Sequence, residues 1–249
     1  MVWRSYPERR SRDEAEKPFW ISYADLMTAL MVLFLVSMAV GLLAMTRTVS
    51  EHEQREAECK AVVSEREQRE AEHRENIDRC MEVAVEAAKR HEGVKVDLQR
   101  RVIDFGDRAR FAFNSSLLSP DQEAILRRFV PELLAMAEHP ACKRVLKRIV
   151  VEGYTDKTGS YLANLNLSLM RSQRVICAMF KTDGAHPLTD EQKRAVRDLF
   201  LVGGFAFNLS KDTPEESRRV EMRIEFLGLD EKRDEQQSNG SGDFGKCAI

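Results

Sequence analysis

The stretch KRIVVEGYTDKTGS, residues 147–160, decides the fold of the C-terminal half of this 249-residue sequence. Residues 147–152 contain three consecutive β-branched residues, and the run stops at Gly153, which is typical of a strand that ends in a turn. A helical pattern follows over residues 164–180. The stretch therefore predicts a strand, a polar turn and a helix in succession.

The flanking sequence extends this unit to a two-layer domain. Residues 119–122 (SPDQ) match a helix start, with a serine cap, a proline at the first position and a glutamine at the third, and predict a helix to about residue 138. Residues 110–114 alternate like a strand, and residues 199–207 and 219–226 predict two further strands. The order β-α-β-α-β-β is that of a two-layer α+β fold.

The turn and the helix after it carry polar residues at a recognisable spacing. Residues 153–160 (GYTDKTGS), then Asn164 and Arg171, and the later run RRVE at residues 218–221 resemble the OmpA-like peptidoglycan-binding domain. The resemblance implies a periplasmic domain of this type at residues 99–228.

The resemblance also implies a ligand and the residues that hold it. In that family an aspartate and an arginine grip the diaminopimelate of the wall peptide, and the matching positions are Asp156 and Arg171. The chemistry fits, because a carboxylate can receive the ammonium of the ligand and a guanidinium can receive its carboxylate. Thr155 and Asn164 are placed in the same site, where they contact ligand or shape the loop. The alternative is that Asp156 is a turn residue and Arg171 a surface residue of the helix.

A membrane-spanning helix is predicted near the N-terminus. The twenty residues 26–45 carry no charge, and about 20 apolar residues span a bilayer as a helix. The run is longer than the roughly 7–15 residues of a signal peptide and begins after a polar segment, so a single-pass helix at residues 19–46 is favoured. The basic residues of segment 1–18 favour a cytoplasmic N-terminus.

Asp25 is the one charged residue of that span. Intramembrane carboxylates usually serve ion pathways, although Asp25 could instead lie among the lipid headgroups. Helical spacing places Ser22 and Thr28 on its side of the helix, and Tyr23 fits an aromatic anchor beside this polar face. The run WISYADLMTALM, residues 20–31, resembles the membrane signature of MotB-family stator B subunits. That resemblance implies that Asp25 carries H⁺, and that two copies of the chain lie inside a ring of MotA-like or ZorA-like A subunits.

The segment between membrane and wall domain, residues 47–98, is highly charged. EHEQREAE at residues 51–58 nearly repeats at residues 65–72, an offset of two heptads. The repeat predicts a long helix with coiled-coil phase, but the apolar seam is thin. The helix is therefore interpreted as solvated or weakly dimerising.

Five cysteines lie on the predicted periplasmic side, where disulfides are stable. A disulfide between Cys142 and Cys177 is plausible, and Cys59 and Cys80 could each face a second copy of the chain. Buried free thiols remain the alternative. No metal-ligand spacing is present, and residues 229–249 are predicted to be a disordered tail.

These features exclude some functions and favour others. A net charge of −2 argues against nucleic-acid binding, and the sequence offers no nucleophile–base set for an enzyme and no cofactor motif. The leading residues 13–20, the compact length and the charged middle resemble the B subunits of the Zorya anti-phage defence system. The expected protein is a single-pass inner-membrane stator subunit with its C-terminal domain in the periplasm. The alternatives are a flagellar stator subunit and a passive peptidoglycan tether.

Overall fold

The computed structural model describes residues 17–182, 187–233 and 244–247, with side chains of the first helix from Tyr23 onward. These residues form two compact units that divide between Arg66 and Glu67. Residues 1–16 of the predicted cytoplasmic segment and the side chain of Ser22 lie outside the described part.

The first unit consists of the N-terminal part of one long helix. This helix, α1, begins at Lys17 and ends at Lys89. Between Leu26 and Met45 its large apolar side chains are exposed on every side. A helix that is apolar all round requires an apolar environment, and this one is long and apolar enough to cross a membrane, with a mean hydropathy of 2.5 over its most apolar window.

The C-terminal end of α1 belongs to the second unit. Its buried residues recur every three or four positions and form one stripe: Ile77, Cys80, Met81, Ala84, Ala87 and Ala88. The stripe packs into the hydrophobic core of the second unit. The sequence alone did not decide whether this seam faces solvent or a second copy of the chain. The structure instead places it against the chain's own C-terminal domain, which therefore includes residues from Glu67 onward.

A five-stranded sheet forms the centre of the second unit. In spatial order its strands are β1 (Lys95–Asp97), β2 (Val102–Asp104), β5 (Val220–Phe226), β3 (Leu146–Gly153) and β4 (Phe200–Gly204). The pair β3–β4 is parallel and the other pairs are antiparallel. The helices after α1 are α2 (Pro120–Glu138), α3 (Pro140–Lys143), α4 (Tyr161–Phe180), α5 (Asp190–Leu199) and α6 (Pro214–Ser217).

Helices α2 and α4 cover one face of the sheet. Phe129 and Leu133 of α2 and Met179 of α4 are buried in one hydrophobic cluster with Ile149 of β3 and Met222 of β5. This is the predicted α+β architecture with helices on one side of the sheet, which leaves the strand ends free to carry a site.

Most predicted elements are confirmed, but the first predicted strand is wrong. Helix α2 starts with the predicted capping box, in which Ser119 accepts from Gln122 and the Gln122 side chain accepts from the Ser119 backbone. Residues 110–114, however, form only an isolated bridge between Arg110 and Arg219. The chain turns away at Asn114, whose φ of 50° lies in the left-handed region, and β2 takes the position beside β5.

The disulfides also differ from the prediction. Cys80 is bonded to Cys142 and Cys177 to Cys247, so the predicted Cys142–Cys177 pair is wrong. The reason is tertiary, because Cys142 on α3 faces the buried stripe of α1. Cys80 is therefore not available to a second copy of the chain, whereas Cys59 is exposed and unbonded.

Part of the predicted disordered tail is attached to the domain. Phe244 packs edge-on against Phe180 at a centroid distance of 5.2 Å, and Cys247 is bonded to α4. The prediction of disorder is therefore wrong for residues 244–247. Residues 234–243 and 248–249 lie outside the described part.

Candidate functional sites

The end of strand β3 is held very close to helix α4. A Cβ on Gly153 would lie 1.9 Å from the main-chain oxygen of Ser168, so only glycine permits this approach. The residues after Gly153 then turn across the start of α4, where Ser160 caps the helix. This places Asp156 at the same end of the sheet as Arg171, which lies one turn beyond Ser168.

Asp156 is a buried carboxylate with both oxygens in use. Its Oδ1 accepts the backbone N–H of Thr158 at 2.9 Å, and its Oδ2 pairs with Nη1 of Arg218 at 3.0 Å. Burial raises the pKa of Asp156, but the Thr158 N–H and the Arg218 guanidinium lower it more, so the net shift is downward. The Thr158 side chain also hydrogen-bonds to this group, which is therefore a carboxylate at neutral pH.

Arg171 is wholly buried, with 0% of its surface exposed. Its guanidinium donates to three main-chain carbonyls: Ser115 at 2.9 Å, Tyr154 at 2.7 Å and Ala112 at 3.3 Å. Burial lowers the pKa of Arg171 to about 10, against the opposing effect of the Asp156 charge, so the side chain stays cationic at pH 7. In this arrangement Arg171 fixes the segment 112–115 beside the site.

Thr155 and Asn164 occupy different roles beside this pair. Asn164 donates to the carbonyls of Thr158 and Ser160 at 2.8 and 3.2 Å, so it shapes the loop. The hydroxyl of Thr155 is buried and has no hydrogen-bond partner within the part of the chain that the structure describes. Buried polar groups are normally paired, so this hydroxyl is a candidate contact for a ligand.

Arg218 is the residue that sequence reasoning missed. It lies just before β5, and β5 runs antiparallel to β3 with Val220 opposite Gly153, so the two strand ends bring Arg218 to Asp156. The side chain is 13% exposed. The sequence assigned it only to the RRVE run of the closing strand, and it did not predict that this strand pairs with β3.

Comparison with known proteins identifies the family. Residues 4–48 match the family described as membrane MotB of the proton-channel complex MotA/MotB. The Zorya protein ZorB of Escherichia coli is 41% identical over 232 residues, which cover 91% of this chain and 88% of that protein. The chain belongs to the ZorB family.

Two solved structures are similar to the C-terminal unit of this ZorB-family chain. The periplasmic domain of Helicobacter pylori MotB is 18% identical and covers 57% of this chain and 85% of its own, with a TM-score of 0.38. The OmpA-like domain of FopA1 from Francisella tularensis is 16% identical and covers 54% of this chain and 82% of its own, with a TM-score of 0.34.

Asp25, the charged residue of the predicted membrane span, lies in the other unit of the ZorB-family chain. Asp25 and Tyr23 are exposed on α1 within that unit. The Thr28 hydroxyl donates to the main-chain oxygens of Ala24 at 3.0 Å and Asp25 at 2.9 Å. The Thr28 hydroxyl therefore hydrogen-bonds to the helix backbone and not to the Asp25 side chain. That Ser22, Tyr23 and Thr28 form a polar face beside Asp25 stays a prediction.

The face of the sheet away from α2 and α4 carries a network of ion pairs. The fully buried Glu221 accepts from Arg219 at 2.7 Å and from Arg100 at 2.7 Å. Burial raises the pKa of Glu221, but the two guanidinium groups outweigh it and hold the pKa below its ordinary value. The pKa of Asp104, beside Lys211 in the same network, is lowered as well, against the opposing effect of burial.

These carboxylates make the stability of the domain pH-dependent. A group whose pKa is lower in the folded state stabilises the fold above its unfolded pKa, and this stabilisation disappears as pH falls through the folded pKa. We therefore expect the free energy of unfolding to decrease as the pH falls below about 5. Urea denaturation followed by pulse proteolysis measures the change.

Glu221→Gln tests this interpretation of the network. The variant leaves Arg219 buried without its charge partner, so the unfolding free energy at pH 7 should fall by roughly 3 kcal/mol. Its remaining pH dependence should be weaker than that of the wild type. An unchanged pH profile would exclude Glu221 as a source of the acid sensitivity.

Proposed function

We propose that this ZorB-family chain is the B subunit of a proton-driven stator motor in the inner membrane, anchored to peptidoglycan by its C-terminal unit. The observation that carries the proposal is the combination of two features in one chain. One is an apolar helix, exposed on all sides, whose only charged residue between positions 19 and 46 is Asp25. The other is a separate compact unit with a buried charged cluster of Asp156, Arg171 and Arg218, termed the recess.

The membrane part of the proposal assigns proton transport to Asp25. Protonation removes the charge of a carboxylate, and a charge is costly inside a bilayer, so each proton changes how the helix interacts with its surroundings. We place two copies of α1 inside a ring of MotA-like or ZorA-like A subunits. The N-terminus lies in the cytoplasm and the C-terminal unit in the periplasm.

The wall part of the proposal assigns diaminopimelate binding to the recess around Asp156. The Asp156 carboxylate, which Arg218 holds ionised, receives the ligand ammonium, and Arg171 receives the ligand carboxylate. Thr155 lines the recess and Asn164 holds the loop. These side chains recognise a charged group and perform no catalytic step, so we assign no enzymatic activity.

The cellular role that we propose is anti-phage defence. The support is the 41% identity to the Zorya protein ZorB over nearly the whole chain. A flagellar stator is the second candidate, favoured by the MotB match at residues 4–48. A passive wall tether would need the Asp156 site but not Asp25.

Asp156→Asn should weaken binding to purified sacculi at least tenfold, roughly the contribution of one charge-assisted hydrogen bond. Asparagine keeps an oxygen that can accept the Thr158 N–H, so the loop should remain, but the charge that attracts the ammonium is lost. Co-sedimentation of the detergent-solubilised full chain with sacculi measures the change.

The matched control is Asp198→Asn. Asp198 is a carboxylate on α5 that pairs with Arg197 at 2.8 Å at the surface. This variant should bind sacculi like the wild type. Equal binding by Asp156→Asn and the wild type would remove the recess from the proposed function.

A further inference from the structure

The two disulfides of the C-terminal unit differ in whether a thiol can reach them. Cys80 and Cys142 each have 0% of their surface exposed, in the hydrophobic cluster around the stripe of α1. Cys177, on the last turn of α4, is 7% exposed, but its partner Cys247 lies at the surface. Exchange requires a thiolate to contact a disulfide sulfur, so of these two bonds only Cys177–Cys247 offers a target in the folded domain.

The segment around Cys247 depends on this bond for its position. Residues 244–247 form no helix or strand. Their non-covalent contacts include the ring pair between Phe244 and Phe180 and the ammonium of Lys193, which lies 5.9 Å from the centroid of the Phe244 ring. Contacts of this strength contribute less than the conformational entropy lost when four residues are ordered. Cleavage of the disulfide should therefore release segment 244–247.

Positive charge surrounds the disulfide. The bond lies beside a groove between the end of α4, α5 and β4, and segment 244–247 contributes to its lining. The basic residues of this groove outnumber the acidic ones by five to two: Arg174, Lys181, Lys193, Arg197 and Lys246 against Glu123 and Asp190. Arg174 and Lys181 lie three residues before and four residues after Cys177, which is the spacing of neighbours on one helix face.

These charges favour exchange at this bond. Basic neighbours attract an incoming thiolate, and they stabilise the thiolate that leaves. The C-terminal end of α4 acts against a thiolate at Cys177, because a helix end carries roughly half a negative charge. The excess of basic side chains in the groove is larger than this partial charge, so the net effect favours Cys177 as the leaving group.

We propose that the Cys177–Cys247 disulfide is a site of thiol–disulfide exchange, at which a dithiol reductant attacks Cys247 and releases segment 244–247 from the groove. The attacking sulfur bonds to Sγ of Cys247 as the Cys177–Cys247 bond breaks. The electron pair passes to Sγ of Cys177, which then takes up a proton. The second thiol of the reductant displaces Sγ of Cys247, so both cysteines end as thiols and the dithiol is oxidised to its own disulfide. Neither step involves Asp156 or Asp25.

The test uses the full chain with Cys59→Ser in detergent micelles, and dithiothreitol as the dithiol. Samples taken over time are alkylated, and peptide mass spectrometry gives the reduced fraction of each disulfide. Cys177–Cys247 should be reduced at least roughly tenfold faster than Cys80–Cys142, which becomes accessible only when the domain opens. Reduction of both bonds at the same rate, or of Cys80–Cys142 first, would overturn the proposal.

Lys246→Gln tests the contribution of charge. Lys246 is exposed and adjacent to Cys247, so the variant should fold like the wild type. At low ionic strength it should slow the reduction of Cys177–Cys247 about two- to threefold. Lys232→Gln is the matched control, because it removes an exposed lysine outside the groove and should leave the rate unchanged. Equal rates in the two variants would contradict the role assigned to the groove charges.

Phe244→Trp reports the release of the segment. A tryptophan ring can occupy the place of Phe244 against Phe180, and a released ring becomes accessible to a collisional quencher. Reduction with dithiothreitol should increase the quenching by acrylamide at the same rate as Cys177–Cys247 is reduced. The parent chain gives the background of Trp3 and Trp20. Quenching that does not change on reduction would show that segment 244–247 stays on the domain, and would overturn the release.

Discussion

Cells that carry the complete locus with Asp25→Asn are expected to lose all protection against phage, to the plaquing level of cells without the locus. Asparagine has nearly the same shape as aspartate but cannot bind or release a proton at this position. One elementary charge that crosses 100 mV provides about 2.3 kcal/mol. A variant that cannot carry the proton cannot use this energy. The expected effect is therefore complete loss rather than partial reduction.

The comparison variant for this experiment is Asp25→Glu. Glutamate still titrates, so it should retain part of the protection, and both variants should reach wild-type levels in the membrane by immunoblot. Full protection by Asp25→Asn would leave only the passive tether. Absence of protection with the wild-type locus, together with swimming that depends on Asp25, would favour the flagellar stator.

Local signals in the sequence were sufficient to predict several elements. Helix α2 begins where Ser119, Pro120 and Gln122 predict it, because the capping box is a contact within four residues. Strand β3 and helix α4 were predicted for the same reason, since Gly153 and the run after it encode the turn. Apolar composition alone predicted the exposed N-terminal part of α1.

Features that depend on distant partners were not predictable in this way. Strands β1 and β2 have three residues each, too few for an alternating pattern, and they form because β5 offers an edge to β2. The stripe of α1 resembles a weak coiled-coil seam, because burial against the chain's own domain and against a second copy require the same spacing. The disulfide partner of Cys142 was not predictable for the same reason, since the packing of α1 places Cys80 beside it.

The recess illustrates both cases at once. The resemblance to the OmpA-like domain implied that Asp156 and Arg171 would share a site, and the charge of Asp156 does act on Arg171. Whether the guanidinium faces the ligand or the main chain depends on segment 112–115, and the sequence assigned residues 110–114 to a strand. Arg218 came to the site through strand pairing, so its role became visible only in the fold.

Removal of the Cys80–Cys142 disulfide should substantially lower the stability of the C-terminal unit. The two cysteines are 62 residues apart. A cross-link over such a loop lowers the conformational entropy of the unfolded chain, which stabilises the fold by about 4 kcal/mol. The free energy of unfolding of the Cys80→Ser, Cys142→Ser double variant should be lower by this amount. Ile77, Met81 and Ala84 still bury the same stripe, so the native arrangement of α1 on the domain should persist.

Urea denaturation of the full chain in micelles, read by pulse proteolysis of the C-terminal unit, measures this loss. Cys59→Ser is the control, because Cys59 is exposed and unbonded and its replacement should change nothing. Reducing agent should remove the stabilisation by the Cys80–Cys142 bond from the wild type. The double variant has no such bond to lose. If the double variant were as stable as the wild type, the end of α1 would be held by its non-covalent contacts alone. The disulfide would then contribute nothing to the attachment of the helix to the wall-binding domain.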